Sequence, residues 1–321
     1  MLKRAFMLAL AALSVAGGLH AQDFPPKKAV TMYVGFAAGG AADSSARLIA
    51  RKLSENIGQT VIVENKPGAG GNIAHQITAT GPTDGSVILF GSIGPLTIAP
   101  HMMKTGYDPF KDLAPISGGV HFASILVVNN QSGIKTLADY VKEAKKSSGA
   151  VTFASTGPGS ASHLTGELFA SRAGVEMMHV PYRGGSAAMP DLIAGRFTSY
   201  FAAPPTALPQ IEAGKITAIA VTGLQRMKEL PNVPTVAESG YPGFEALNWY
   251  AFVASSKTPA PILDRWNAEI VKVLKDPQLA EQLTKHGVTP MPTTRAELAE
   301  FMRKESDQWG RIVREKKITG E

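Results

Sequence analysis

The 321-residue sequence contains no cysteine. That absence excludes a disulfide framework, thiol chemistry and lipid attachment at an N-terminal cysteine. The sequence also lacks low-complexity tracts and runs of like charge, and its composition is ordinary for a globular protein. Beyond the N-terminus, no stretch is long and apolar enough to span a bilayer.

The positive charge is not concentrated in one place. The formal net charge is +6, and the basic residues are scattered, for example Lys142, Lys145 and Lys146 on one predicted helix. A nucleic-acid-binding protein is expected to gather them in a stripe interleaved with aromatics. We therefore predict no nucleic-acid partner, whereas a small anionic ligand is compatible with this charge.

Residues 1–21 are predicted to be a secretory signal peptide. Lys3 and Arg4 precede an apolar stretch from Ala5 to Leu19, and a cleavage site follows at Ala21. The apolar stretch is shorter than the roughly 20 residues of a membrane span, although an uncleaved anchor is the alternative. We expect a periplasmic protein that is cleaved after Ala21.

The rest of the chain alternates short apolar strands with helices, which predicts an α/β fold with parallel sheets. The alternation begins with a predicted strand, AVTMYVGF, and a predicted helix, DSSARLIARKLSENIG. The same alternation is repeated in the part of the chain from ASILVVNN to ITAIAVTG. The length favours two lobes. HFASILVVNN and NWYAFVASS are predicted to pair where the chain crosses between them, so that lobe 1 comprises 22–120 and 260–321 and lobe 2 comprises 121–259.

Four predicted strand ends carry glycine or small hydroxyl residues, in VGFAAGGAAD, FGSIGP, TGPGSAS and PYRGGSAA. Helix N-termini after such loops leave backbone N–H groups unpaired and favour an anion, and glycine lets the backbone approach it. Ligands of open parallel sheets lie beyond the carboxyl ends of the strands, so the four loops are predicted to line one cleft that clamps a carboxylate. The loops match neither the Walker motif nor the dinucleotide fingerprint. An ordinary tight turn remains the alternative for the first loop.

The candidate ligand-binding residues lie in these loops and in the later segment TSYFAAPPTALPQ. They are Phe36, Ala37, Ala38, Gly39, Gly40, Asp43, Gly91, Ser92, Ser155, Thr156, Gly157, Ser160, His163, Tyr182, Arg183, Gly184, Gly185, Ser186, Ala202 and Ala203. Asp43 also suits the first turn of its helix. Arg183 could bind a carboxylate through two parallel hydrogen bonds or extend into solvent.

No group of residues forms a recognisable active site or metal site. Ser160 does not lie in a G-x-S-x-G motif, and His163 and Glu167 share a helix face without H-E-x-x-H. We therefore predict a non-enzymatic protein with no metal and no cofactor. An exported serine hydrolase that uses Ser160 and His163 is the alternative.

In its order of motifs the chain resembles the periplasmic solute-binding receptors of tripartite tricarboxylate transporters, the Bug receptors. The resemblance is carried by FAAGGAAD, ENKPGAGGNIA, GSASHLTGELF, VPYRGG, ALPQIEAGKITAIAVTG and VPTVAESGYPGFEA. It implies a two-lobed type II (Venus-flytrap) fold and a carboxylate held in the cleft partly through waters. It also implies delivery to integral membrane transporter subunits; we expect a monomer. A ligand sensor for a membrane signalling protein would share the fold and stays open.

Two short segments, each a pair of alanines, differ from the family pattern. Ala37 and Ala38 stand where the family often has two prolines, a mild change because the backbone would hold the ligand. Ala202 and Ala203 follow Phe201, where the family frequently places Asp. Without that carboxylate we expect a less polar ligand, an aliphatic or aromatic carboxylate rather than an amino acid.

Overall fold

The structure, a computed structural model, describes residues 24–316 and 318. The predicted signal peptide lies outside these residues. Within them, no helix combines the length and apolarity needed to cross a membrane.

The first sheet has six strands in the order β11-β4-β10-β3-β1-β2. Its strands are β1 (Val30–Val34), β2 (Val61–Asn65), β3 (Val87–Ser92), β4 (Leu113–Ala123), β10 (Leu247–Ser255) and β11 (Thr289–Pro290). β1 pairs in parallel with β2 and β3, whereas β10 runs antiparallel between β3 and β4. All side chains of β3 are buried because helices cover both faces of the sheet.

The second sheet has five strands in the order β7-β6-β8-β5-β9. They are β5 (Ile125–Asn129), β6 (Thr152–Ser155), β7 (Met178–Pro181), β8 (Ser199–Ala202) and β9 (Ile216–Val221). β6 lies parallel to β7 and β8, and β5 runs antiparallel to β8 and β9. Each sheet has its own apolar cores, which confirms the predicted two-lobed α/β architecture.

Nine α-helices pack on the two sheets of the described chain. They are α1 (Ala41–Ile57), α2 (Asn72–Ala79), α3 (Leu137–Ala144), α4 (Ala161–Ala173), α5 (Gly185–Ile193), α6 (Pro204–Glu212), α7 (Ala260–Leu274), α8 (Pro277–Lys285) and α9 (Arg295–Lys316). Local signals in the sequence set several ends: α1 stops at Gly58, which has φ +67°, and Thr136 and Asp139 form a capping box at the start of α3.

The chain crosses between the sheets at Ser124, which separates β4 from β5. β10 pairs with β4, so the predicted pairing of HFASILVVNN with NWYAFVASS holds only at His121 and Phe122; the rest of the first segment lies mainly in β5 of the second sheet. The strand pairing nevertheless moves 121–123 and 247–255 from the predicted lobe 2 into the first sheet, because β10 is hydrogen-bonded to first-sheet strands on both sides. α7 and α9 pack against β4, so the C-terminal helices belong with the first sheet. Below, the first lobe is the first sheet with α1, α2 and α7–α9, and the second lobe is the second sheet with α3–α6.

Candidate functional site

A cavity lies between the lobes, beyond the carboxyl ends of the parallel strands. Its free space is about 460 Å³, counting the part open to solvent. The cavity is lined by Phe36, Gly40, Ala41, Ala42, Ser92, Thr156, Ala161, Ser162, Gly185, Tyr200, Phe201, Ala203, Thr206, Asn248 and Tyr250.

The N-termini of α1 at Gly40, α4 at Ala161 and α5 at Gly185 face this cavity. The start of α6 at Ala203 lines it as well, but its first two residues are prolines without an N–H. The glycines that precede α1 and α5 provide no side-chain cap for the first N–H groups. Such N–H groups and the positive end of the helix dipole favour an anion. Because α1 belongs to the first lobe and α4 and α5 to the second, an anion between them would be bound from both sides.

The wall of the cavity, as formed by the described residues, carries no charged side chain. Its polar groups are hydroxyls and one amide. Tyr200 and Tyr250 are both buried, and burial raises the pKa of each phenol far above its usual value, with Tyr200 adding to the effect on Tyr250. Both phenols therefore stay protonated and can donate hydrogen bonds to an anion.

The two lobes also bond directly to each other beside the cavity. The N–H of Ala37 donates to the carbonyl of Arg183 at 3.1 Å, and Ser186 Oγ donates to the carbonyl of Ala38 at 2.8 Å. A Cβ on Gly184, whose φ is +146°, would lie 3.0 Å from Ala37 N. A closed pair of lobes thus depends on a glycine at this contact.

A second contact brings backbone against backbone. A Cβ on Gly94 would lie 2.7 Å from the carbonyl oxygen of Gly159 and 3.0 Å from Ser160 Cα. A Cβ on Gly70 would overlap the carbonyl oxygen of Pro158. These loops of the first lobe touch the 158–160 loop of the second lobe with no space for a side chain, so the structure is the closed form.

The four predicted loops do come together. Of the candidate residues, those that line the cavity are Phe36, Gly40, Ser92, Thr156, Gly185 and Ala203. Those that form the contacts between lobes are Ala37, Ala38, Gly157, Arg183, Gly184 and Ser186. The second group connects the lobes in this structure, and its predicted ligand contact stays a prediction. The side chain of Arg183 is exposed in an outer groove.

Asp43 is held by residues of its own loop and helix. Its carboxylate is buried, accepts the N–H of Gly39 at 2.9 Å and pairs with Arg47 at 2.9 Å. Burial alone would raise the pKa of Asp43, but the hydrogen bonds from Arg47, Gly39 and Asn65 outweigh it and hold the pKa below its usual value. Asp43 therefore supports the first loop: its Oδ2 accepts hydrogen bonds from Gly39 and Arg47, and its Oδ1 forms the ion pair with Arg47. The predicted ligand contact of Asp43 stays a prediction.

Ser160 and His163 do not form a nucleophile and base. Ser160 Oγ caps α4 by accepting the backbone N–H of His163, and the ring Nδ1 of His163 accepts the N–H of Gly159 at 3.3 Å. Burial lowers the pKa of His163 to about 3, helped by the stacked ring of His179 at 4.0 Å. Ser155 Oγ bonds to His179 Nε2 at 2.6 Å, so all of these side chains support the loop behind the cavity.

The remaining candidates also contact protein. Tyr182 donates its hydroxyl to Asp191 at 2.8 Å, and a Cβ on Gly91 would meet His75 Nε2 at 2.8 Å. Ala202 is buried in β8 opposite Ile125. Of the two alanines, Ala203 is therefore the one that lines the cavity. Among the described residues, no three His, Asp or Glu side chains come together as a metal site.

Several cavity residues are absent from the candidates, mainly Tyr200, Phe201, Thr206, Asn248 and Tyr250. Tyr200 and Phe201 directly precede the alanines that the sequence singles out. Asn248 and Tyr250 lie on β10, a segment that the sequence predicts to pair where the chain crosses between the lobes and not to bind ligand. Polar residues at alternate positions of that otherwise apolar strand were the available signal.

The comparisons with known proteins agree with this geometry. Residues 45–318 match the tripartite tricarboxylate transporter family receptor model. The chain is 33% identical to protein BugT of Bordetella pertussis over 308 residues, 95% of this chain and 94% of BugT. It is similar to the periplasmic binding protein BugD (TM-score 0.88, 32% identity, 92% of this chain and 99% of BugD). It is equally similar to R. palustris Rpa4515 with adipate (TM-score 0.88, 31% identity, 92% and 99%).

Proposed function

The chain belongs to the tripartite tricarboxylate transporter receptor family, and from this premise we propose that it captures a small carboxylate in the periplasm and delivers it to membrane subunits of such a transporter. Members of this group are binding proteins of type II fold and not enzymes. Signal-peptide cleavage after Ala21 and a monomeric state are parts of the proposal.

The observation that carries the proposal is the uncharged cavity faced by helix N-termini from both lobes. A carboxylate there receives N–H donors and the phenols of Tyr200 and Tyr250, without a cation. Rpa4515, a relative of the same fold, has adipate in its structure. A ligand ammonium would be buried with no carboxylate near it, since Ala203 stands at the segment where the family frequently has Asp. We therefore propose a carboxylate without an amino group.

The test is a calorimetric and thermal-shift screen of the chain starting at Gln22. The panel holds mono- and dicarboxylates, aromatic carboxylates, aspartate and glutamate. A ligand at 100 times its dissociation constant stabilises the folded state by about 2.7 kcal/mol. Binding of one or more amine-free carboxylates supports the proposal. Binding of aspartate or glutamate alone, or of no carboxylate, overturns it.

Delivery needs its own experiment, because a sensor for a signalling protein would bind ligand with the same fold. Uptake of the radiolabelled ligand is measured in cells with and without the receptor. Loss of uptake on deletion, restored by the wild-type chain, supports a transport receptor. Unchanged uptake would point to the sensor alternative.

A further inference from the structure

Two buried polar atoms in the cavity wall have no hydrogen-bond partner among the described residues: Ser92 Oγ and Asn248 Oδ1. Ser92 is only 4% exposed. Buried polar groups in folded proteins are nearly always hydrogen-bonded, so each such atom calls for an explanation. Their shared position on the cavity suggests that the partner is part of the ligand.

The strand register places these side chains together on the first-lobe side. Ser92 of β3 is paired with Tyr250 of β10, and Asn248 lies two residues before Tyr250 on the same face of the sheet. Ser92 and Asn248 are therefore diagonal neighbours, whose Cβ atoms lie roughly 7 Å apart. One oxygen atom placed between them can hydrogen bond to both side chains.

The chemistry of the pair fits a group that both accepts and donates a hydrogen bond, which a ligand hydroxyl does as well as a water. A serine hydroxyl can donate and the asparagine carbonyl can accept, and a ligand hydroxyl both accepts and donates. A carboxylate has no proton to give to Oδ1, and an ammonium would find no anion in the uncharged wall. The helix N-termini remain the place for the carboxylate.

We propose that Ser92 and Asn248 form a hydroxyl-recognition subsite and that the ligand is a hydroxycarboxylate. This inference rests on the proposed function, because it assumes that a carboxylate occupies the same cavity. The proposed subsite places selectivity for the hydroxyl on the first-lobe side of the cavity. The difference from the family pattern at Ala202 and Ala203 lies on the second-lobe side.

The experiment compares carboxylates that differ by one hydroxyl: lactate with propionate, 3-hydroxybutyrate with butyrate, and malate with succinate. Affinities are measured by titration calorimetry on the chain starting at Gln22. We expect the hydroxylated member of at least one pair to bind tenfold or more tightly, because a site built around a hydroxyl discriminates strongly against its loss.

Variants of Ser92 and Asn248 test whether these two side chains cause the preference for the hydroxylated ligand. Ser92→Ala and Asn248→Ala should each lower the affinity ratio within a pair at least fivefold, because they weaken binding of the hydroxylated member more than binding of its unsubstituted partner. Thr258→Val is the matched control, since Thr258 Oγ1 is also buried without a partner but lies outside the cavity wall. The control should leave the ratio unchanged.

The outcomes separate the two proposals. If carboxylates bind but members of every pair bind equally, or if the ratio survives both variants, the hydroxyl subsite is refuted and the receptor function stands. If no carboxylate binds in these pairs or in the wider panel, the proposed function fails and the subsite fails with it.

Discussion

Gly94 offers a way to weaken lobe closure without changing the ligand cavity. It begins the helical turn Gly94–Ile98 of the first lobe and does not line the cavity. In the closed form an added Cβ would lie 2.7 Å from the carbonyl oxygen of Gly159 and 3.0 Å from Ser160 Cα, both in the second lobe. Its backbone is not in the left-handed region, so alanine is compatible with the first lobe itself.

The magnitude follows from these contacts. Overpacking a close contact costs about 1–3 kcal/mol, and here the cost falls on the closed form alone. In the proposed clamp the ligand is bound from both lobes, so the penalty should appear as weaker affinity, and each 1.4 kcal/mol is about tenfold. We expect Gly94→Ala to weaken carboxylate binding by about 5- to 150-fold and to leave the melting temperature of the unliganded protein nearly unchanged.

Calorimetry gives the affinity, and small-angle scattering with and without ligand gives the change in radius. Gly166→Ala is the control, because its Cβ would overlap the ring of Phe153 inside the second lobe. That variant should lower the melting temperature and leave the compaction on ligand binding intact. If Gly94→Ala binds like wild type, or loses stability as Gly166→Ala does, the reasoning on lobe closure is refuted.

Three further predictions concern bonds around the cavity. Ser186→Ala removes the hydroxyl bond to Ala38 across the lobes and should weaken binding about 2- to 10-fold by calorimetry, with an unchanged melting temperature. Asp43→Asn loses the charge that holds Gly39 N–H and should lower the unfolding free energy by about 1–3 kcal/mol at pH 7. Since the pKa of Asp43 is lowered by folding, urea unfolding should show this difference vanish as the pH falls below its usual value of 3.8. The pKa of His163 falls from 6.5 to about 3 on folding, so urea unfolding should show full stability above pH 6.5 and a decline toward pH 3, with a shallower decline for His163→Asn.

Much of the fold could be predicted from local patterns in the sequence. Alternating strands and helices predict α/β lobes, and the end of α1 at Gly58 and the capping box of α3 follow from neighbouring residues. Local patterns do not show which of the two sheets contains β10. The strand is mostly apolar and would suit either sheet, and its place depends on pairing with β3 and β4, which lie far away in the sequence.

The candidate site was predictable to the same extent. Glycine and serine in four loops identify the strand ends that meet at the cavity, because glycine-rich helix starts have a local signal. The roles of individual residues depend on tertiary contacts: Asp43 turns back to Gly39, and Ser160 caps α4. Asn248 and Tyr250 are polar residues at alternate positions of β10, but only the pairing of β10 with β3 brings them to the cavity.

The uncharged cavity fits a protein that must release what it binds. The helix N-termini are divided between the lobes, with α1 on one side and α4 and α5 on the other. Opening the lobes would separate these donors, so the carboxylate would keep only part of them, and each 1.4 kcal/mol lost weakens binding about tenfold. A buried arginine or lysine in one lobe would hold the anion there even in the open form. Neutral donors shared by two lobes therefore make affinity depend on closure, and a membrane partner that opens the lobes would thereby obtain the ligand.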